Sequence, residues 1–234
     1  MDLINCGHRE RLRNRYLQAG KDGLPDYDMV ELLLTYAIQR RDVKPIARRL
    51  LKRFHSLSGI LDAELEDLCR IEGIGVNSAL LITLIRTFCT RYLENDLIGQ
   101  DVIDCSEKLE NYARMRLSAF AEEVFMLIFM DVKNHVIDSE IFAKGTYDTI
   151  ILQPKMIAEK AVARKASKLI MVHNHPSGIT DPSNSDIEFT RRLETVLAPL
   201  DIALLDHLIV SRIGVYSFLN HGLMKVKYGN RNRQ

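Results

Sequence analysis

Val172-His173-Asn174-His175-Pro176-Ser177-Gly178-Ile179-Thr180-Asp181-Pro182-Ser183-Asn184-Ser185-Asp186 carries two histidines one residue apart and, after ten intervening residues, an aspartate. Side chains two apart on a strand share a face, so at a strand's end His173 and His175 can aim ring nitrogens at one metal ion. The run Lys168 to Val172 is short, apolar and broken by Pro-Ser-Gly, which predicts such a strand. Pro176, Gly178 and Pro182 turn the loop that follows. Ser183 then reads as a helix N-cap, which sets Asp186 in the first turn. Three protein ligands leave a fourth tetrahedral position for water, the pattern of catalytic rather than structural zinc.

The spacing H-x-H-x10-D, with Pro176 after the second histidine, resembles the JAMM motif of the JAB/MPN metalloprotease fold. The fuller string from His173 to Gly178, with Pro182, Ser183 and Asp186, is similar to the bacterial RadC subfamily. Its flanks agree: Phe129-Met130-Asp131, Lys144-Gly145-Thr146 and Leu205-Asp206-His207-Leu208-Ile209-Val210 resemble that family's strand landmarks. The resemblance covers residues 103–225 and implies Zn2+ held by His173, His175 and Asp186. It implies hydrolysis of an amide or isopeptide bond in a peptide or protein substrate. It also implies a glutamate base at the start of the first strand. Glu122 and Glu123 both stand there, and a period of two lets only one face the site. Glu123, with Phe125 two residues on, matches the family pattern better. Glu140 is the outside candidate. Ser183 is expected to donate a hydrogen bond to the oxyanion, or to serve only as the helix cap. His207 reads as structural or as a support behind a metal ligand, since a fourth protein ligand would close the site. His8, His55, His135 and His221 fall in no ligand spacing.

A net charge of +1, with 47% hydrophobic and 27% charged residues, describes an ordinary globular chain and argues against a generally basic nucleic-acid protein. Cys6, Cys69, Cys89 and Cys105 form no C-x-x-C pair, and each reads as a small buried hydrophobe in a reducing compartment. No apolar run is long enough to span a membrane and no secretory signal opens the chain, so a cytoplasmic location is expected.

Residues 1–96 read as an all-helical domain. Helices are expected over 7–16, from a cap at Asp28 to Ala37, over Val43 to Phe54, over 63–71 and over 77–93. The third has Ile46, Ala47, Leu50, Leu51 and Phe54 on one face and Arg48, Arg49, Lys52 and Arg53 on the other, a basic face expected to be solvated. Glu72-Gly73-Ile74-Gly75-Val76 resembles the turn of a helix-hairpin-helix element. Its glycines can bring backbone N–H groups together as a nest for DNA phosphate. With 15 basic against 14 acidic side chains in residues 1–100, weak DNA binding at most is expected from Gly73 to Gly75, and a structural hairpin is preferred.

Glu94 to Gln100 reads as a polar linker. Beyond it, the α/β (α+β) pattern predicts a mixed sheet flanked by helices, with strands at 124–130, 136–143, 168–172, 202–210 and 215–218. Helices are predicted at 106–119, 154–166 and from the metal loop to 197. A basic tail fills 226–234. Three functions compete: a zinc-dependent hydrolase, a DNA-associated repair or recombination factor with a structural or vestigial zinc site, and a metal-holding scaffold without turnover.

Overall fold

The computed structural model describes residues 3–20, 23–102, 106–145 and 153–224. Thr146, Cys105, the side chain of Cys6 and the tail 226–234 lie outside the described residues. The chain divides into two compact units, residues 1–89 and 90–234.

The first unit is helical: α1 (Leu3–Ala19), α2 (Asp26–Ala37), α3 (Lys44–Phe54), α4 (Leu57–Leu61), α5 (Leu65–Cys69) and the start of α6 (Val76–Leu97). Apolar residues one turn apart on α3 meet those of α2 and α6 in a core of Val30, Leu34, Ile46, Leu50, Leu68, Ile74 and Ile82. Helix α2 starts earlier than expected. Pro25 occupies the N-cap, and Asp26 and Asp28 both fall in the first turn, where their charge suits the helix dipole. The short α4 went unread because only the cap from Ser56 Oγ to Gly59 N, 3.0 Å, announces it.

In the hairpin, Gly73 has φ +97, and a Cβ there would lie 2.8 Å from Ile46 Cδ1. Gly75 has neither a positive φ nor a neighbour within 4 Å of its Cβ position, so only the first glycine is required by the fold. The Ile74 N–H that a phosphate nest would use donates to Ile71 O at 2.9 Å. The basic face of α3 is also less free than expected: Arg49 donates to the Glu72 carbonyl at 3.0 Å and pairs with its carboxylate at 2.9 Å. Cys69 and Cys89 are free thiols and half-buried rather than fully buried.

Residues 94–100, expected as a linker, are built into the second unit. Leu97 is buried in its core. Glu94 accepts hydrogen bonds from Tyr112 Oη at 3.0 Å and Ser139 Oγ at 3.1 Å. Gly99 N–H donates to Val136 O. A polar, glycine-containing stretch fits a linker, but here its polar groups are satisfied by backbone and side-chain partners within the unit.

The second unit holds α7 (Ser106–Leu117), β1 (Val124–Met130), β2 (Val136–Lys144), α8 (Pro154–Ala163), β3 (Lys168–Asn174), α9 (Asn184–Leu197), a 3-10 turn (Ala198–Leu200), β4 (Ala203–Val210) and β5 (Val215–Ser217). The sheet order is β2-β1-β3-β4-β5. Strands β3 and β4 are parallel, joined through α9, and the other neighbours are antiparallel. Every residue of β1 is buried, which explains its unbroken apolar run: both faces are covered. Phe125, Leu127 and Phe129, with Leu169 and Met171, pack on the side of α8 and α9. Val124, Met126, Ile128 and Met130, with Ile170 and Val172, pack on the side of α7. By the same alternation His173 joins the α9 face. Among the described residues, no helix is long and apolar enough to cross a membrane.

Candidate metal centre

The centre sits where β3 leaves the sheet. His173 is the next-to-last residue of β3 and has no solvent exposure. His175 lies just past the strand, yet its N–H donates to Val210 O at 2.9 Å, which prolongs the pairing with β4 and keeps both rings on one side. The loop then turns at Gly178, φ +89, and its Ile179 carbonyl accepts from His175 Nδ1 at 2.8 Å. A carbonyl only accepts, so His175 carries its proton on Nδ1 and offers a lone pair at Nε2 when neutral.

Asp186 comes in on α9. Ser183 caps that helix through a capping box. Its Oγ accepts from Asp186 N at 3.1 Å, and Asp186 Oδ2 accepts from Ser183 N and Ser183 Oγ, both at 2.7 Å. The Ser183 hydroxyl hydrogen, expected to face an oxyanion, is used here on the Asp186 carboxylate. That leaves Oδ1 towards His173, 3.3 Å from its Nε2. His173 Nε2 and His175 Nε2 stand 3.0 Å apart, and His175 Nε2 is 3.7 Å from Asp186 Oδ2. The ligand-type atoms of His173, His175 and Asp186 all lie within 4.8 Å of one another, so the three could hold one metal ion. Burial drives the His173 pKa down to about 3, against the pull of Asp186 and with His175 assisting. The ring is therefore neutral at physiological pH, the form in which histidine binds metal.

Glu123 precedes β1 and is half-buried, whereas Glu122 is exposed. Phe125 pairs with His173, so antiparallel register carried two residues further sets Glu123 opposite His175. Burial pushes the Glu123 carboxyl up. His175 draws it back and Asp186 raises it, which puts it within electrostatic reach of both. Glu140 is otherwise engaged: its carboxylate is held by Lys160 of α8 and by Arg164, the C-cap of that helix. His207 stands behind His173 with no exposure, its pKa well below the ordinary value through burial.

Two residues went unread in the sequence. Asn174, 1% exposed, sits between the histidines and points away from them. Its Oδ1 accepts from Val124 N at 2.7 Å, and its Nδ2 donates to Glu122 O at 3.0 Å and Phe120 O at 3.3 Å. It thus grips the backbone on both sides of Glu123. Thr190 lies four residues after Asp186, on the same face of α9. Its Oγ1 donates to Asp186 O at 2.6 Å and meets His207 Nδ1 at 2.7 Å. The i,i+4 spacing was the available signal for Thr190. Asn174 offered none, because a strand-end asparagine reads as a turn residue.

Comparison with known proteins agrees with this geometry. Residues 103–223 match the family described as RadC-like JAB domain, and residues 4–80 match UPF0758 N-terminal. A UPF0758 protein of Fusobacterium nucleatum is 35% identical over 227 residues, covering 94% of this chain and 98% of that protein. A UPF0758 protein of Ruegeria pomeroyi is 36% identical over 217 residues, 93% of this chain and 97% of the other. With both domains matched and relatives similar along nearly the whole length, this chain belongs to the RadC-like UPF0758 family.

Proposed function

We propose that the chain is a zinc-dependent hydrolase of amide or isopeptide bonds in a peptide or protein substrate. The carrying observation is the donor set itself: two histidine nitrogens and one carboxylate oxygen at 3.0 and 3.3 Å, held by partners on their far sides. Four ligands around zinc at about 2.0–2.1 Å form a tetrahedron with edges of about 3.3 Å. The two separations from His173 lie near that edge, His175 Nε2 stands 3.7 Å from the Asp186 carboxylate, and a fourth position would stay open to water. When bound, zinc lowers the pKa of a water and polarises a carbonyl oxygen.

The chain's own residues supply the rest. Glu123 takes a proton from the attacking water on a carboxylate oxygen and returns it to the leaving nitrogen. Burial raises its pKa above the ordinary carboxylate range, which makes it a stronger base for that exchange. Asn174 fixes the backbone that carries Glu123. Ser183 holds the Asp186 carboxylate through Oδ2, so that Oδ1, towards His173, would be the oxygen free to hold the metal. For Ser183 to assist an oxyanion, its hydroxyl would first have to leave Asp186. Phe125, stacked on His173 at 5.2 Å, closes one side of the buried ring to water.

Metal analysis of the purified protein, then a fluorogenic peptide and isopeptide screen with and without chelator, tests this reading. Chelator-sensitive turnover that fails in Glu123→Gln is expected. Bound zinc without turnover on any amide substrate would favour the scaffold function instead.

A further inference from the structure

We propose that His207 is a positioning residue: through a relay from Thr190 it fixes the tautomer of His173, so that the Nε2 lone pair faces the site. One chain of hydrogen bonds links the four groups. Thr190 Oγ1 has one hydrogen, and at 2.6 Å from Asp186 O that hydrogen goes to the carbonyl, which can only accept. His207 Nδ1, 2.7 Å from the same oxygen, must then be the donor. A buried neutral imidazole has one N–H, so His207 Nε2 is left as an acceptor. His173 Nδ1 lies 2.8 Å from it and must donate. His173 Nε2 is consequently a lone pair, directed at His175 Nε2 and Asp186 Oδ1.

The relay starts and ends on the donor set, at the Asp186 carbonyl and the His173 ring, and it ties α9, β4 and β3 together. Its middle member is firmly held. His207 stacks on Phe218 with ring centroids 4.5 Å apart, and its backbone N–H donates to Asp206 Oδ1 at 2.7 Å. Metal-bound histidines ordinarily give their second N–H to a carboxylate, a carbonyl or water. Here a second neutral imidazole takes it. An acceptor without charge fixes the ring's orientation and adds no negative charge behind the donor set.

The importance of the relay for metal binding rests on the zinc reading, but the tautomer assignment does not. The test is long-range 1H–15N correlation of the histidine rings in the full-length protein, metal-free, beside zinc titration with a competing chelator. Wild type should show His173 and His207 both protonated on Nδ1. Thr190→Val keeps the shape but removes the acceptor, so the His207 proton can move to Nε2, where it opposes His173 Nδ1–H. His173 should then populate its Nε2–H form, and zinc affinity should fall by about 10–100-fold. His207→Leu should do the same. His207→Gln offers an amide oxygen in place of Nε2 and should keep affinity within a few-fold. Wild-type His173 protonated on Nε2 would overturn the proposal. So would Thr190→Val and His207→Leu that leave both tautomer and affinity unchanged. If the tautomers and their shifts are as stated but no zinc binds, the relay stands and the zinc reading falls.

Discussion

Replacing Asn174 with alanine should damage stability and reactivity together while sparing metal binding. Asn174 Oδ1 is the acceptor for Val124 N–H, and Val124 is fully buried. Leaving that donor without a partner costs about 1–3 kcal/mol. The bonds to Glu122 O and Phe120 O contribute about 0.5–1.5 kcal/mol each, towards the low end because Glu122 is exposed and its carbonyl can turn to water. The expected loss is about 2–4 kcal/mol, which lowers the melting temperature of the C-terminal unit by about 5–15 °C. Calorimetry of the full chain reads this directly. Because Glu123 lies between the two gripped peptide groups, hydrolysis should fall by about tenfold or more. Zinc content should hold, since the Asn174 amide is used on the backbone of Phe120, Glu122 and Val124. Asn174→Asp should be worse than alanine above neutral pH, because its second oxygen would confront two carbonyls. An alanine variant within about 0.5 kcal/mol of wild type would refute the reasoning, as that is the range of an inert surface change.

Further expectations concern other parts of the chain. Glu123→Gln keeps shape and removes the basic oxygen, so turnover should drop by about 10²–10⁴-fold at unchanged zinc content. Glu122→Gln should be neutral, and an exchange of these phenotypes would move the base to Glu122. Metal-free protein should lose stability as pH falls below about 6.5. His173 and His207 stay neutral when folded, so below that pH the unfolded state binds more protons. Each ring adds a slope approaching about 1.4 kcal/mol per pH unit, and urea midpoints that stay flat from pH 7.5 to about 5 would contradict this. In the hairpin, Gly73→Ala should cost about 1–3 kcal/mol from its left-handed backbone and the Ile46 contact, whereas Gly75→Ala should be near neutral. Equal effects at both glycines would argue that the turn is built differently. DNA retention by the full chain should be weaker than micromolar at physiological salt and lost steeply as salt rises.

Much of the fold was legible because burial dictates sequence pattern. The run Val124 to Met130 is covered on both faces and reads as continuous apolar strand, and its observed limits coincide with those expected. Pro154 opens α8 and Ser183 caps α9 where turn chemistry puts them. Less legible were structures whose signal lies in partners distant in sequence. The segment Glu94 to Gln100 looks polar, yet Tyr112, Ser139 and Val136 satisfy it and Leu97 anchors it. At the centre, His173, His175 and Asp186 stood out through their spacing; strand period allowed only one of Glu122 and Glu123, and the family resemblance favoured Glu123. The supports around them did not. Asn174 acts across fifty residues, and Thr190 with His207 becomes a relay only when α9 and β4 pack against β3. Ser183 had two readings, and its bonds to Asp186 now give it a structural task at the site in addition to the cap.

The measurement that bears most directly on the whole account is metal stoichiometry in wild type and in the His173→Ala, His175→Ala double variant. Both proteins should be purified without added metal, reconstituted with zinc, dialysed and analysed by mass spectrometry of the elements. Wild type should hold about one zinc per chain through three protein ligands. The double variant should hold none, and its circular dichroism should remain that of a folded chain. Full zinc retention in the folded double variant would contradict the assignment of these histidines, and with it the hydrolase reading that depends on them.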